Sequence, residues 1–257
     1  MDVVLKDYLK TQNHQLNSEK TTISSPITVM QRYELKYILN KDQLTYLKAA
    51  IASHMKLDEY GRTSIMSIYY DTPDYRLVRA STEKPEFKEK LRLRSYGLAN
   101  KDSKVFLELK RKVAGIVYKR RLALTEDNAN EFFFNHHDID SQIGLEISYF
   151  KKYYQELNPA FLIIYDREAY KEINGDLRLT IDENPRYRTN NLNLHTSLDG
   201  ESLLPEGAAI LEIKVQQAFP LWLSDILAKG KIYKSSFSKV GEAYKKEMLK
   251  HNMERRS

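Results

Sequence analysis

Apolar and charged residues alternate along much of the chain, and the alternation predicts strands. Successive strand residues point to opposite faces. In Tyr33-Glu34-Leu35-Lys36-Tyr37 the charges therefore fall on one face and the apolar side chains on the other. The same period of two recurs in Leu91-Arg92-Leu93-Arg94, in Leu107-Glu108-Leu109-Lys110 with Lys112 next, from Leu177 to Asp182, and in Leu211-Glu212-Ile213-Lys214-Val215. Strands are predicted over 65–71, closed by Thr72-Pro73-Asp74, over 90–96, stopped by Gly97, and over 105–113 and 116–124 as a hairpin about Ala114-Gly115. Strands 161–170 and 177–182 are joined at Asn174-Gly175, a dipeptide suited to tight hairpin turns, and 209–215 follows. Leu44, Leu47 and Ile51 have helical spacing behind Asn40, a good N-cap. Further helices are expected over 126–134, over 147–157 ending before Asn158-Pro159, and over most of 221–249. The sum is an α+β fold: an antiparallel sheet of about seven or eight strands with flanking helices, in the size range that closes into a small barrel.

Residues 1–27 read as an appendage and linker. Val3-Val4-Leu5 with Tyr8-Leu9 predicts a short amphipathic helix, and a Thr/Ser-rich stretch ends at Ser25-Pro26. The domain proper is expected over 28–250, with a short tail over 251–257. No run approaches the ~18 apolar residues of a membrane span, and the first residues lack the basic-then-apolar order of a signal peptide. A cytoplasmic protein is expected.

Composition narrows the chemistry. The absence of cysteine excludes disulfides, thiolate metal sites and cysteine nucleophiles. The six histidines show no metal-ligand spacing, and His136-His137 lies in a polar connecting stretch, so any metal should be held by carboxylates. The net charge of +6 points to an anionic partner, nucleic acid and phosphates alike.

Placement of the charges is more informative. Lys36, Arg92, Arg94, Lys110, Lys119, Arg121, Arg167, Arg178 and Lys214 take the polar positions of their strands. One reading is a half-buried sheet with a solvated outer face. Yet like charges on neighbouring strands repel, and a polyanion would relieve that repulsion, with arginine gripping phosphate bidentately and lysine acting as a point charge. Glu34, Glu108 and Glu212 share those faces. Carboxylates among cations that face phosphate fit a bridging Mg²⁺ or Mn²⁺ ion; the alternative is that each pairs with a neighbouring lysine or arginine. Single-strand nucleic-acid binders interleave aromatic platforms with the basic groove. Here Tyr33, Tyr37 and Tyr70 fall on or near apolar faces, and only Tyr165 could line the groove. Nucleic acid is not the expected partner.

The ordered set Glu34-Leu35-Lys36-Tyr37, Tyr69-Tyr70-Asp71-Thr72, Arg92-Leu93-Arg94, Glu108-Leu109-Lys110, Lys119 with Arg121, Tyr165-Asp166-Arg167, Arg178 with Asp182, Leu211-Glu212-Ile213-Lys214 and Phe237-Ser238-Lys239 resembles the VTC domain over about residues 29–245. That domain is the catalytic part of the fungal vacuolar polyphosphate polymerase, within the triphosphate tunnel metalloenzyme (CYTH-like) superfamily. The resemblance implies an eight-stranded antiparallel β-barrel tunnel with helices packed outside. It implies that Lys36, Arg92, Arg94, Lys110, Lys119, Arg167 and Arg178 hold nucleotide phosphates and the growing chain. It also implies that Glu212 binds the metal, that Ser238 and Lys239 contact phosphate, and that Tyr165 lies beside the nucleotide. The first motif reads Glu-Leu-Lys after Arg32-Tyr33 rather than ExExK, which argues against the thiamine-triphosphatase and class IV cyclase branches.

The expected activity is metal-dependent transfer of the γ-phosphoryl of ATP onto phosphate or polyphosphate, with Mn²⁺ or Mg²⁺ as cofactor. Arg92, Arg94, Lys110, Arg167, Arg178 and Glu212 form the candidate catalytic set. Lys36, Lys119, Arg121, Tyr165, Lys214, Ser238 and Lys239 are candidate substrate-binding residues, and Glu34 or Glu108 would assist Glu212 with the metal. A tripolyphosphate or nucleoside triphosphate hydrolase on the same scaffold and a non-catalytic polyphosphate-binding module remain open alternatives.

Overall fold

The structure, a computed structural model, describes residues 33–83, 86–113, 116–134, 139–215 and 219–255. The predicted N-terminal helix and its linker, the Ala114-Gly115 turn and the His136-His137 stretch lie outside the described residues.

Among the described residues ten strands form one antiparallel sheet: β1 (Tyr33–Leu39), β2 (Met55–Asp71), β3 (Phe87–Tyr96), β4 (Lys104–Val113), β5 (Ile116–Thr125), β6 (Asn158–Glu172), β7 (Arg178–Arg188), β8 (Glu201–Ser202), β9 (Ala209–Val215) and β10 (Lys234–Ser235). Their order is β10-β1-β9-β7-β6-β2-β3-β4-β5, with the two-residue β8 beside β7. Among the described residues the ladder ends at β10 and β5 and is not closed by backbone hydrogen bonds. Side chains bridge the opening instead. Lys110 on β4 reaches Glu34 on β1 at 4.0 Å although many strands separate them in the ladder. The sheet is therefore curled, and its concave face lines a tunnel.

Helices cover the convex face. In α1 (Lys41–Ile51) the Asn40 side chain accepts from the Gln43 N–H and the Gln43 side chain accepts from the Asn40 N–H, a complete capping box. The helix buries Leu44, Leu47 and Ile51 against Leu179, Ile181, Leu211 and Ile213, joined by Leu223, Ile226 and Leu227 of α5 (Leu221–Lys229). Each such side chain contributes about 2 kcal/mol of burial. Over the other half, α3 (Glu126–Phe134) and α4 (Gln142–Tyr154) set Phe132, Ile147 and Phe150 on Met66, Ile68, Leu91, Leu93, Leu107 and Leu109. The remaining cluster lies on the concave face, where Val240 and Ala243 of α6 (Lys239–Glu254) meet Ile65, Phe161, Ile163 and Tyr165. α6 thus brings its N-terminus to the tunnel interior.

The predicted elements differ from the observed ones where alternation breaks. β2 starts at Met55 rather than 65, because an irregularity between Leu57 and Arg62, with Gly61 at φ +56°, interrupts the period of two. The helix predicted over 147–157 starts at Gln142 behind the Ser141 cap, and Asn158-Pro159 opens β6. The helical stretch 221–249 is two helices with β10 between them. A short α2 (Arg76–Thr82) was not predicted; it is held by Asp71, whose carboxylate accepts from the Leu77 and Val78 N–H groups at 2.8 and 2.9 Å. No helix among the described residues is long and apolar enough to cross a membrane.

Candidate functional site

Directly paired residues of an antiparallel ladder share a face, so the register decides which side chains meet. Lys36 lies opposite Glu212 and Glu34 opposite Lys214, while on the other edge of β9 Thr180 faces Glu212 and Arg178 faces Lys214. Arg167 pairs with Asp182, Arg92 with both Tyr69 and Glu108, Arg94 with Ser67, and Lys110 with both Lys90 and Lys119. Glu108 also pairs with Arg121, and Tyr165 with Ile65. Every strand residue proposed from the sequence for the site therefore lies on the concave face. Ser238, the N-cap of α6, and Lys239 add to it from the helix.

Two carboxylate-centred knots organise the interior. The first surrounds Glu108, whose side chain is 1% exposed. Arg92 approaches one carboxylate oxygen at 2.7 Å with Arg94 at 3.8 Å, and Arg121 and Lys119 approach the other at 2.6 and 2.8 Å. Burial alone would raise this carboxyl's pKa, but Arg92, Arg94 and Lys119 outweigh it and hold the group well below the usual carboxylate range. Arg92 also donates to Tyr69 Oη (2.9 Å), and Arg94 donates to Tyr165 Oη and Ser67 Oγ (3.2 Å each).

The second knot holds Asp182 and Glu212. Arg167 grips Asp182 bidentately at 2.5 and 2.7 Å, and Lys239 donates to the same carboxylate. Glu212 receives Lys36 at 3.1 Å, Arg167 at 3.7 Å and Lys239 at 3.9 Å. Burial opposes ionisation of both acids, yet Lys239 and Arg167 at Asp182, and Lys239, Lys36 and Arg167 at Glu212, keep both pKa values lowered. Asp182 was not chosen as a site residue from the sequence, although its alternation with Arg178 and Thr180 carried the signal.

Cations outside these knots give the tunnel its unbalanced charge. Lys90, also missed, is two residues before Arg92 on the same face; its Nζ donates to Ser238 Oγ at 3.1 Å. Among the described residues no carboxylate lies within 4.0 Å of Lys90, Arg178 or Lys214. Burial, with Lys36, Lys110 and Lys88 nearby, pushes Lys90 down to about 8 despite the opposing influence of Tyr69. Burial would raise the Tyr69 phenol, but Arg92, Lys90 and Arg94 together lower it to about 7. A cavity of about 300 Å³ opens beside Arg178 and Lys214, with Lys171 and Asp176 also in its wall. Lys90 and Lys214 are half-buried and Arg178 is exposed; an unpaired cation is costly to the extent that it is withdrawn from water, unless an anion completes it.

The donor set also suits a hard divalent cation. Thr180 Oγ1 is buried without a hydrogen-bond partner among the described residues and lies directly across from Glu212. Glu34 shares Lys36 with Glu212, at 3.6 and 3.1 Å. Two carboxylates and a free hydroxyl fit Mg²⁺ or Mn²⁺. No three of His, Asp and Glu cluster into a cage among the described residues, so phosphate oxygens or water must supply the other ligands. Glu108, the other residue expected to assist with the metal, has cations on both of its oxygens, as Glu212 does, and it shares none of its partners with Glu34 or Glu212.

The family model for the VTC domain matches residues 31–248. Among solved structures, a candidate adenylate cyclase of Bacillus halodurans superposes with a TM-score of 0.52 at 14% identity, covering 80% of this chain and 92% of that one. A candidate adenylyl cyclase of Hippeastrum, described as having a dominant triphosphatase activity, gives a TM-score of 0.50 at 15% identity, with 82% and 93% covered. At these identities the likeness is one of fold. No curated protein matches the chain.

Proposed function

The chain belongs to the VTC domain family, and from that premise we propose that it is a phosphotransferase that lengthens polyphosphate at the expense of ATP. The observation that carries this reading is the charge imbalance on the concave face: among the described residues, Lys90, Arg178 and Lys214 lack carboxylate partners beside the Glu212–Thr180 pair. A phosphate chain supplies the missing negative charge along the whole row. An oxygen of the acceptor phosphate attacks the γ-phosphorus of ATP, the bond from that phosphorus to the β–γ bridging oxygen breaks, and ADP leaves. The acceptor is already anionic, so no histidine base is needed. Such a transfer asks the protein for positioning and charge stabilisation above all.

Arg92, Arg94, Lys110, Arg167 and Arg178 neutralise the transferring group, and Lys36, Lys119, Arg121, Lys214, Ser238 and Lys239 hold the flanking phosphates. Tyr165, hydrogen-bonded to Arg94, keeps that guanidinium aimed into the tunnel. Glu212 with Glu34 would hold Mn²⁺ or Mg²⁺, which when bound supplies Lewis-acid stabilisation of phosphoryl oxygens. The test is to incubate the pure protein with labelled ATP and Mn²⁺ and resolve the products. Polymer and ADP appearing together support the proposal. Free phosphate without polymer means that water is the acceptor and the protein a hydrolase, and no turnover under any metal means a binding module.

A further inference from the structure

At the end of the tunnel where β3 runs out and β4 begins, the concave face changes from lysine and arginine to aromatic. Tyr96 follows Arg92 and Arg94 in the same period of two, and Phe106 lies opposite Arg94 in the ladder. Their rings meet edge to face with centroids 5.7 Å apart and planes at 86°. The Arg121 guanidinium sits 4.5 Å over the Phe106 ring and donates to Tyr96 Oη at 3.3 Å. Arg121 also holds Glu108 at 2.6 Å, so one side chain links the aromatic pair to the phosphate-binding knot.

Packing does not account for this pair. Tyr70, one of the core tyrosines, is 4% exposed and stacks on Phe133 at 3.9 Å, whereas Tyr96 leaves 48% of its surface open. An edge-to-face contact covers at most one face of a ring, so Tyr96 keeps a face without a ring partner among the described residues. The residue opposite Phe106 on β5 is Ala123, exposed and small, and Lys104 Nζ lies 5.8 Å over the Phe106 ring. The result is an open aromatic shelf about 7 Å along the strand from Arg94 and about 13 Å from Arg92.

We propose that Tyr96, Phe106 and Arg121 form a nucleobase subsite that seats the base of a nucleoside triphosphate whose phosphates run inward onto Arg94 and Arg92. The free face of Tyr96 stacks on the base, since every nucleobase presents a π-face, and Arg121 adds its charge beside the stack. The tunnel then has a direction: nucleotide enters at the aromatic end, and the row formed by Lys90, Lys110 and Lys214 receives the phosphate chain. This rests on the nucleotide-dependent reading given above.

Calorimetric titration of the full chain with ATP and with ribose 5′-triphosphate, which has the same phosphates and no base, tests it. ATP is expected to bind about tenfold more tightly, the size of one stacking contact. Tyr96→Ala removes that advantage and leaves ribose 5′-triphosphate affinity unchanged, while Tyr96→Phe retains it. Equal affinity of the wild type for the two ligands overturns the subsite, as does a tenfold preference that survives in Tyr96→Ala. The two readings fail separately. ATP preference without polymer formation refutes the polymerase and keeps the subsite; polymer made by a protein indifferent to the base does the reverse.

Discussion

Replacing Glu108 by glutamine keeps the size of the side chain and removes the charge on which the first knot is centred. Four cations converge on that carboxylate, three of them at 2.6–2.8 Å. Breaking a buried ion pair by removing one partner costs about 3–5 kcal/mol. Lys119 and Arg121 are 44% and 36% exposed, so water screens their share to about 0–1 kcal/mol each. The larger loss falls on Arg92 and Arg94, which are 23% and 6% exposed and have few other acceptors. A total near 3 kcal/mol is expected, and at about 2–4 °C per kcal/mol for a domain of this size the melting temperature should fall by about 6–12 °C. Binding moves the opposite way. Cations no longer neutralised by Glu108 attract the ligand more strongly, so Glu108→Gln should bind tripolyphosphate more tightly than the wild type, and saturating tripolyphosphate should recover most of the lost melting temperature. Scanning calorimetry with and without tripolyphosphate, beside isothermal titration, measures both. A variant that melts within about 2 °C of the wild type, or one that loses affinity along with stability, refutes the view of Glu108 as an internal stand-in for phosphate charge.

Glu212→Gln should lower metal-dependent turnover by several orders of magnitude while metal-free binding of tripolyphosphate persists or tightens, because a charged ligand for a hard cation is removed and Lys36, Arg167 and Lys239 lose a competing carboxylate; unchanged turnover in product resolution would move the metal to Glu34. Lys90→Met should weaken tripolyphosphate binding about tenfold yet leave the melting temperature unchanged or higher, since the ammonium has no carboxylate partner among the described residues to lose; a lower melting temperature with unaltered binding would mean that Lys90 is structural. Affinity for tripolyphosphate should fall as pH rises from about 7 to about 8, because Tyr69 becomes phenolate and Lys90 loses its proton, both subtracting positive charge from the tunnel. The ligand's own ionisation acts the other way over that range, so a fall measured by titration calorimetry reports the protein, and Tyr69→Phe with Lys90→Met should abolish it.

Within each strand, the side a residue takes was legible from the sequence. Glu34 and Lys36, Arg92 and Arg94, Glu108 and Lys110, and Glu212 and Lys214 all lie where the period of two puts them, because that period follows from local backbone geometry that any extended segment shares. The capping box at Asn40 was equally local. Failures of the same reading had local causes too, such as the irregularity before Arg62 that hid the first half of β2.

What the tertiary structure alone decided is which charges are already satisfied. Asp182 holds Arg167 from 15 positions away and Lys239 from 57, and Lys110 reaches Glu34 only because the sheet curls. Glu108 looks like Glu212 in sequence, each followed by an apolar residue and a lysine. The fold brings cations to both oxygens of each, but Glu108 meets three of them at 2.6–2.8 Å, whereas those at Glu212 stand at 3.1–3.9 Å and a threonine hydroxyl without a partner among the described residues lies across from it. Lys90 has the same strand position as its arginine neighbours, and only the fold leaves it without a carboxylate among the described residues. The reason is that Coulomb and desolvation energies depend on distance and burial. Strand order and curl set both, through contacts between residues far apart in the chain.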